Sequence, residues 1–277
     1  MQRSDLRLVL PLAALFVAFF VAPLVMLLAM SLSRDADMHA LTLANYAKFF
    51  TDPFNYSILW STLVLGVKAT LLCLLFGYPL AWIANRASAR WQTVLLFLVI
   101  LPIMTSVVVR TFSWIVILGR QGVLNRIAMG LGLTSEPLRL LFTEPGVVIV
   151  LAQVQMPLMV LPILTVMSKL DPNLADASRV LGAGEWRTLW RVTLPLSLPG
   201  VIAGALLCFI PIVGEFVIPD LLGSSRNIMI GQAVWTEFFL NKDWPVTCAV
   251  AVVLLCLLLA PILVYQRMQS RDLAGSA

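Results

Sequence analysis

The chain is 277 residues long, 60% hydrophobic, only 12% charged, and carries a formal charge of +5, with a mean hydropathy of +0.95. That composition excludes an ordinary soluble domain and predicts an all-α polytopic membrane protein, whose basic excess reads as charge at membrane boundaries and not as a nucleic-acid surface. The four cysteines, Cys73, Cys208, Cys248 and Cys256, fall in apolar segments without metal-ligand spacing, so they read as small core residues.

The first apolar run, 8–32, follows Arg3 and Arg7. At roughly 25 residues it exceeds the ~7–15-residue core of a cleaved signal peptide, and about 20 residues suffice to cross a bilayer, so it is read as a retained span. Further spans are expected at 58–84, 94–118, 146–168, 200–222 and 247–265, making one transmembrane domain over 1–277. Basic flanks (Arg3 and Arg7, Arg86 and Arg90, residues 169–191, Arg267 and Arg271) alternate with less basic loops, which predicts both termini in the cytoplasm. His39, the single histidine, sits in an outer loop and reads as solvent-exposed. Trp60, Trp114, Trp235 and Trp244 near outer ends, and Trp91 near an inner one, read as interfacial anchors.

Ionisable residues inside spans are expensive and mark function by default. Lys68 lies about 15 Å below the outer end of the second span, and Arg110 about 24 Å above the inner end of the third, at 1.5 Å rise per residue. Residues 122–133, in the loop that follows, form a short amphipathic pattern suited to a surface helix.

The stretch 171–199 is the one long polar interruption on the cytoplasmic side. Asp171 is placed to cap a helix with Pro172 at its first position, and Leu174, Ala177 and Leu181 make an apolar stripe beside Asp176 and Arg179. Gly182 and Gly184 permit a sharp turn into a second helix carrying Glu185, Trp186, Leu189 and Trp190. Pro195 and Pro199 are expected to stop that helix from running unbroken into the next span.

Asp176-Ala177-Ser178, three residues, Gly182, nine residues, Val192, one residue, Leu194-Pro195 resembles the EAA loop of bacterial ABC importer permeases, E-A-A-x3-G-x9-I-x-L-P. Every spacing matches; the departures are Asp for Glu, Ser for Ala and Val for Ile. The resemblance implies a coupling helix that docks into a cytoplasmic ATPase subunit, with Asp176, Ala177, Ser178, Arg179, Leu181, Gly182, Ala183 and Trp186 as the candidate contacts. The alternative is a surface hairpin that merely joins two spans.

The fifth span carries Glu215, about 22 Å above its inner end, and Asp220 nearer the edge. Pro211, Gly214 and Pro219 predict a kinked or locally opened backbone around Glu215, and broken helices at mid-membrane acids often hold substrate in transporters. Two readings stand side by side: Glu215 pairs with Lys68 or Arg110, or it contacts a cationic substrate. Glu215 and Asp220 are about 140° apart on an ideal helix and share a face only if Pro219 kinks it. Residues 228–240 follow Gly223-Ser224-Ser225, and their Trp235 and Glu237 line the substrate path if this element is partly re-entrant; a plain surface helix is the other reading.

Residues 210–223 (IPIVGEFVIPDLLG), with 228–231 and 243–246, look like the putrescine-type branch of polyamine ABC permeases. That likeness implies a bacterial inner-membrane subunit that pairs with a second, similar permease. It also implies two ATPase subunits, a periplasmic binding protein and surrounding lipid as partners. The chain has no G-x-x-x-x-G-K-[ST] phosphate loop, so it is expected to be no enzyme and to hold no cofactor, with ATP and Mg bound by the ATPase subunits. Alternatives are a permease for ferric iron, sulfate or an opine, and a membrane sensor or scaffold that uses the knob without moving solute.

Overall fold

The computed structural model describes residues 11–223 and 228–274, with the side chains of Pro172, Ala175, Asp176, Arg179 and residues 268–274 outside that description. Arg3, Arg7, Ser224, Ser225 and the side chain of Arg271, which figure in the flank and loop expectations, lie outside the described residues. Within the described residues, six helices are long and apolar enough to cross a membrane. The same residues show one isolated antiparallel bridge, Ser33 to Leu41, outside the helices. The chain forms two compact units, Trp60–Met229 and the paired segments Met1–Leu59 and Ile230–Ala277.

In the paired-segment unit, α1 (Pro11–Ser31) passes through a π turn at Val17–Val21 and α2 (Ala44–Thr51) follows. The first residues of α3 (Pro53–Arg86) come next. The unit is completed by α11 (Ile230–Thr236, running into a π turn at Glu237–Asn241) and α12 (Trp244–Ala274). Both α1 and α2 pack on α12. The apolar window of α1 buries none of its residues in protein, the pattern of a helix facing lipid. Buried Asn45 ties the end of α1 down by donating to the Ser31 and Ser33 carbonyls at 3.1 and 2.8 Å. His39 is exposed, as expected.

The Trp60–Met229 unit is built around α7 (Glu144–Met167), two-thirds of whose apolar window is buried. Against it packs α9 (Glu185–Gly214), brought close by Gly200 and Gly204. A Cβ on either would stand 2.9 Å from the Pro162 carbonyl oxygen or 3.0 Å from that of Met159. Two small residues one turn apart thus let the backbones meet. Helix α3 joins the seam through Gly77 against Met159 and Gly66 against Phe209 and Val213. The buried thiols of Cys73 and Cys208 donate to the Ala152 and Gln155 carbonyls at 2.9 and 3.3 Å, so these two are core residues. Cys248 is half-buried and Cys256 exposed, contrary to the core reading. On an apolar helix such as α12, sequence does not distinguish a lipid-facing side from a protein-facing one.

The span expected at 94–118 is broken. α4 (Ala89–Ile100) ends in a tight turn at Leu101–Met104, Thr105 and Ser106 are extended, and α5 (Val107–Leu118) starts afresh. Pro102 has no N–H to continue the ladder, and its carbonyl is taken by the Thr105 hydroxyl at 2.8 Å. At 12 residues each, α4 and α5 cover about 18 Å, short of a ~30 Å hydrocarbon core. By length and hydropathy the third crossing is instead Val107–Gly130, which adds α6 (Val123–Gly130) after a turn. Buried Asn125 pins that turn, donating to the Gly119 and Leu138 carbonyls and accepting from the Leu138 N–H at 2.8 Å.

The expected stop at Pro195 and Pro199 is also absent. α9 runs from Glu185 to Gly214 through a π turn at Leu189–Thr193, where the Leu194 N–H reaches the Leu189 carbonyl. This wider turn absorbs Pro195, whose ring would clash with the carbonyl of an ordinary turn. The helix then ends at Gly214, not at 222. Glu215 is extended, and a separate α10 (Val217–Leu222) follows.

Candidate functional site

The 171–199 knob is assembled by local chemistry. The Asp171 carboxylate accepts the Asn173 N–H at 2.9 Å at the head of α8 (Pro172–Val180), as its position predicts. At the other end Gly182 takes φ +80° and the Ala183 N–H reaches back to the Ser178 carbonyl at 3.1 Å. That bond from three residues past the helix end closes a Schellman turn, which a side chain at Gly182 would strain even though the space around it is open. The Ser178 and Thr188 hydroxyls share a hydrogen bond of 3.0 Å that ties α8 to the start of α9.

One ion pair fastens the knob to Arg86 at the inner end of α3, and that guanidinium also stacks on Trp82 of the same helix. Arg86 pairs with Glu185 at 3.4 Å and lies over the Trp82 ring at 4.3 Å. Leu174, Ala177, Val180, Leu181 and Trp186 are exposed, with Leu181 at 87% and Trp186 at 72%, so the apolar stripe faces away from the bundle. Ala183 is half-buried. Asp176 and Arg179 stand on α8 with side chains outside the described residues. Leu189 turns inward and is buried, while Trp186 and Trp190 flank an apolar groove against Leu71, Leu75 and Tyr78 of α3.

The second cluster belongs to the same unit. Lys68 forms an ion pair with Glu144, in the first turn of α7, and not with Glu215. Glu144 escaped the sequence reading because it sits just outside the run expected at 146–168, and its partner is 76 residues away. Arg110, in the first turn of α5, donates through Nη1 to the Pro102 carbonyl. Its Nε is buried without a hydrogen-bond partner among the described residues.

Glu215 is half-buried at the break between α9 and α10, where its Oε1 accepts the Val217 N–H at 3.0 Å. The opened backbone expected around Glu215 is therefore present. It opens at 215–216 and not at Pro219, which sits in the first turn of α10, where a missing N–H costs nothing. Asp220 is exposed on α10 while Glu215 sits in the extended break before it, so the 140° argument no longer applies.

Trp235 and Glu237 belong to the other unit. Trp235 is partly exposed and packs on Phe239 with ring centroids 5.5 Å apart, and Glu237 accepts from Asn241 Nδ2 at 2.9 Å. Trp114, read as an anchor, instead donates through Nε1 to Gln153 of α7 at 3.2 Å.

The chain matches the family described as "Binding-protein-dependent transport system inner membrane component" over residues 73–269. It is 38% identical over 253 residues to the "Spermidine/putrescine transport system permease protein PotB" of Haemophilus influenzae, covering 90% of this chain and 88% of that protein. It is 36% identical over 226 residues to the protein of the same description in Escherichia coli strain K12, covering 82% of each. Among solved structures, it resembles a chain of a bacterial alginate ABC transporter in complex with a periplasmic protein. There the TM-score is 0.75 and the identity 19%, over 96% of this chain and 93% of that one. A chain of the MetNI methionine ABC transporter in an inward-facing conformation gives a TM-score of 0.59 at 18% identity, over 78% of this chain and 96% of that one. At such identities the structural likeness is one of fold.

Proposed function

We propose that this chain, which belongs to the family of binding-protein-dependent transport system inner membrane components, is the permease subunit of an ABC importer for polyamines of the spermidine and putrescine class. The substrate class is supported by the names of its relatives and by one structural observation: a carboxylate, Glu215, stands where a membrane-spanning helix breaks. An alkylammonium crossing a low-dielectric region needs an opposite charge in place of its lost water, and Glu215 with Asp220 supplies it. Trp235 and Glu237 are assigned to the same path.

The knob is assigned the transmission of force. Ala177, Ser178, Leu181, Gly182, Ala183 and Trp186, with Asp176 and Arg179, form the face that enters a cleft of the ATPase. An exposed apolar patch beside a stiff turn suits such docking. In this assembly both termini and the knob face the cytoplasm. A second, homologous permease pairs with this chain, two ATPase subunits bind ATP and Mg, and a periplasmic protein delivers the substrate. The chain itself carries out no hydrolysis.

The test is uptake by the assembled complex in proteoliposomes. Labelled putrescine is expected inside only with ATP and the loaded binding protein, and excess spermidine should suppress the signal. ATP-driven uptake of sulfate or ferric iron that polyamines do not affect would overturn the substrate assignment.

A further inference from the structure

A second carboxylate lies within about one helical turn of the Glu215 level in the Trp60–Met229 unit. Along the seam between α9 and α7, Gly200 meets Pro162, Gly204 meets Met159 and the Cys208 thiol reaches the Gln155 carbonyl. The two helices therefore run antiparallel, each turn forward along α9 matching a turn back along α7. Carried to the end of α9 at Gly214, this register sets the Glu215 break level with about Val148, and α10, which follows the break, packs on α7. Glu144 stands one turn from that level, in the first turn of α7, or about 6 Å along the axis at 1.5 Å per residue. Its partner is Lys68, near the middle of the 34-residue α3. The paired side chains remain 52% exposed at Lys68 and 32% at Glu144. Charged groups inside spans face a bundle interior or a water-filled cavity, because hydrocarbon cannot solvate them, so the open side of this pair is a wall of the path.

We propose that Glu144 is a second carboxylate contact of the substrate path and Lys68 its resident counter-ion, so that a diamine anchored at Glu215 displaces Lys68 and a monoamine does not. The inference rests on the reading of Glu215 as a substrate contact. A diamine carries two charges, and a single carboxylate at Glu215 leaves one of them uncompensated in a low-dielectric region. Once one ammonium is held at Glu215, the other is tethered nearby and competes for Glu144 at the high effective concentration of a linked group. Lys68 yields because its ammonium rides on a flexible stem and the pair is open on one side, where an ion pair is weak. The first-turn position of Glu144 keeps its charge favourable whichever cation it holds, since it faces the positive end of the helix dipole. A monoamine at Glu215 has no second charge to offer and leaves the pair closed. The pair thereby counts charges: it rewards a substrate with a second amine and gives nothing to one without.

The test is equilibrium binding of labelled putrescine, and of the four-carbon monoamine butylamine, to the purified complex with its ATPase subunits and without binding protein. Glu144→Gln is expected to lower the preference for putrescine over butylamine by about tenfold or more. Lys68→Gln removes the competitor and is expected to raise that preference. The double variant Lys68→Gln/Glu144→Gln should match Glu144→Gln, because no second carboxylate is left to contact. Recovery of the original preference in the double variant overturns the proposal and makes the pair a structural joint. So does an unchanged preference in Glu144→Gln when Glu215→Gln weakens binding of both amines, and Glu215 then keeps its role. An unchanged or lowered preference in Lys68→Gln overturns its assignment as the displaced counter-ion. Unaltered binding of both amines by Glu215→Gln overturns the reading beneath the proposal. If a single variant fails to assemble, the double variant decides: a lowered preference supports the proposal, whereas an unaltered one, or a second failure to assemble, assigns the pair to folding and overturns it.

Discussion

The knob and the break at Glu215 are both places where an apolar chain stops being a plain helix, yet they are held in opposite ways. At the knob every fastening except the α3 contacts is local: the Asp171 cap, the positive φ of Gly182 and the Ser178–Thr188 hydrogen bond all lie within 18 residues of one another. The break at Glu215 has one local bond, to Val217, and otherwise depends on the packing of α10 against α5 and α7, which are remote in sequence. A locally closed turn keeps its shape when its surroundings move, which suits a part that transmits force. A break held by neighbouring helices changes shape when those helices shift, which suits a part that responds to a passing ion.

Four substitutions test this contrast, beginning with the one of greatest expected effect. Glu215→Gln keeps the shape and removes the charge. Putrescine uptake should fall by about tenfold or more, taking a lost buried charge contact as worth at least ~1.4 kcal/mol, while stimulation of ATP hydrolysis by the loaded binding protein survives. Loss of both activities together would mean that the break is a structural joint like the knob.

Gly182→Leu forces a branched side chain into left-handed backbone, at a cost of roughly 1–2 kcal/mol. The complex should insert in the membrane but lose several-fold of its stimulated ATP hydrolysis, measured with loaded binding protein. Full stimulation would show that the turn is not the stiff element. Asp171→Ala removes a helix cap worth about 1 kcal/mol. It should lower stimulated hydrolysis about twofold, with trypsin cleavage in the knob increased.

Glu185→Gln breaks the ion pair with Arg86, whose glutamate is mostly exposed, and such pairs contribute about 0–1 kcal/mol. Little change in hydrolysis or uptake is expected. If this variant is as damaging as Gly182→Leu, the knob draws its stiffness from its seat on α3, and the contrast with the Glu215 break disappears.

The two regions also differ in how much of them was legible in the sequence. Asp171 and Gly182 act through neighbours a few residues away, so residue type and spacing sufficed to predict both knob helices and the turn between them. At the Glu215 break, Pro211, Gly214 and Pro219 announced an interruption around Glu215, and the helix does open there. Which carboxylate meets which cation was beyond reach: the partner of Lys68 is Glu144, just outside an apolar run, and nothing local marks it. The broken third span was hidden as well, since 94–118 is apolar apart from Arg110 and a few hydroxyl residues, and Pro102 alone does not distinguish a kink from a stop.

From residues alone came the membrane environment, six crossings, and the knob with its glycine turn, because hydropathy and backbone geometry are properties of short stretches. Tertiary structure decided how long α9 runs past Pro195, where the third and fifth spans break, and that Lys68 pairs with Glu144. Those outcomes depend on which helices lie side by side. Packing of α3, α7 and α9 through Gly66, Gly77, Gly200 and Gly204 sets that arrangement, and no window along the chain contains it.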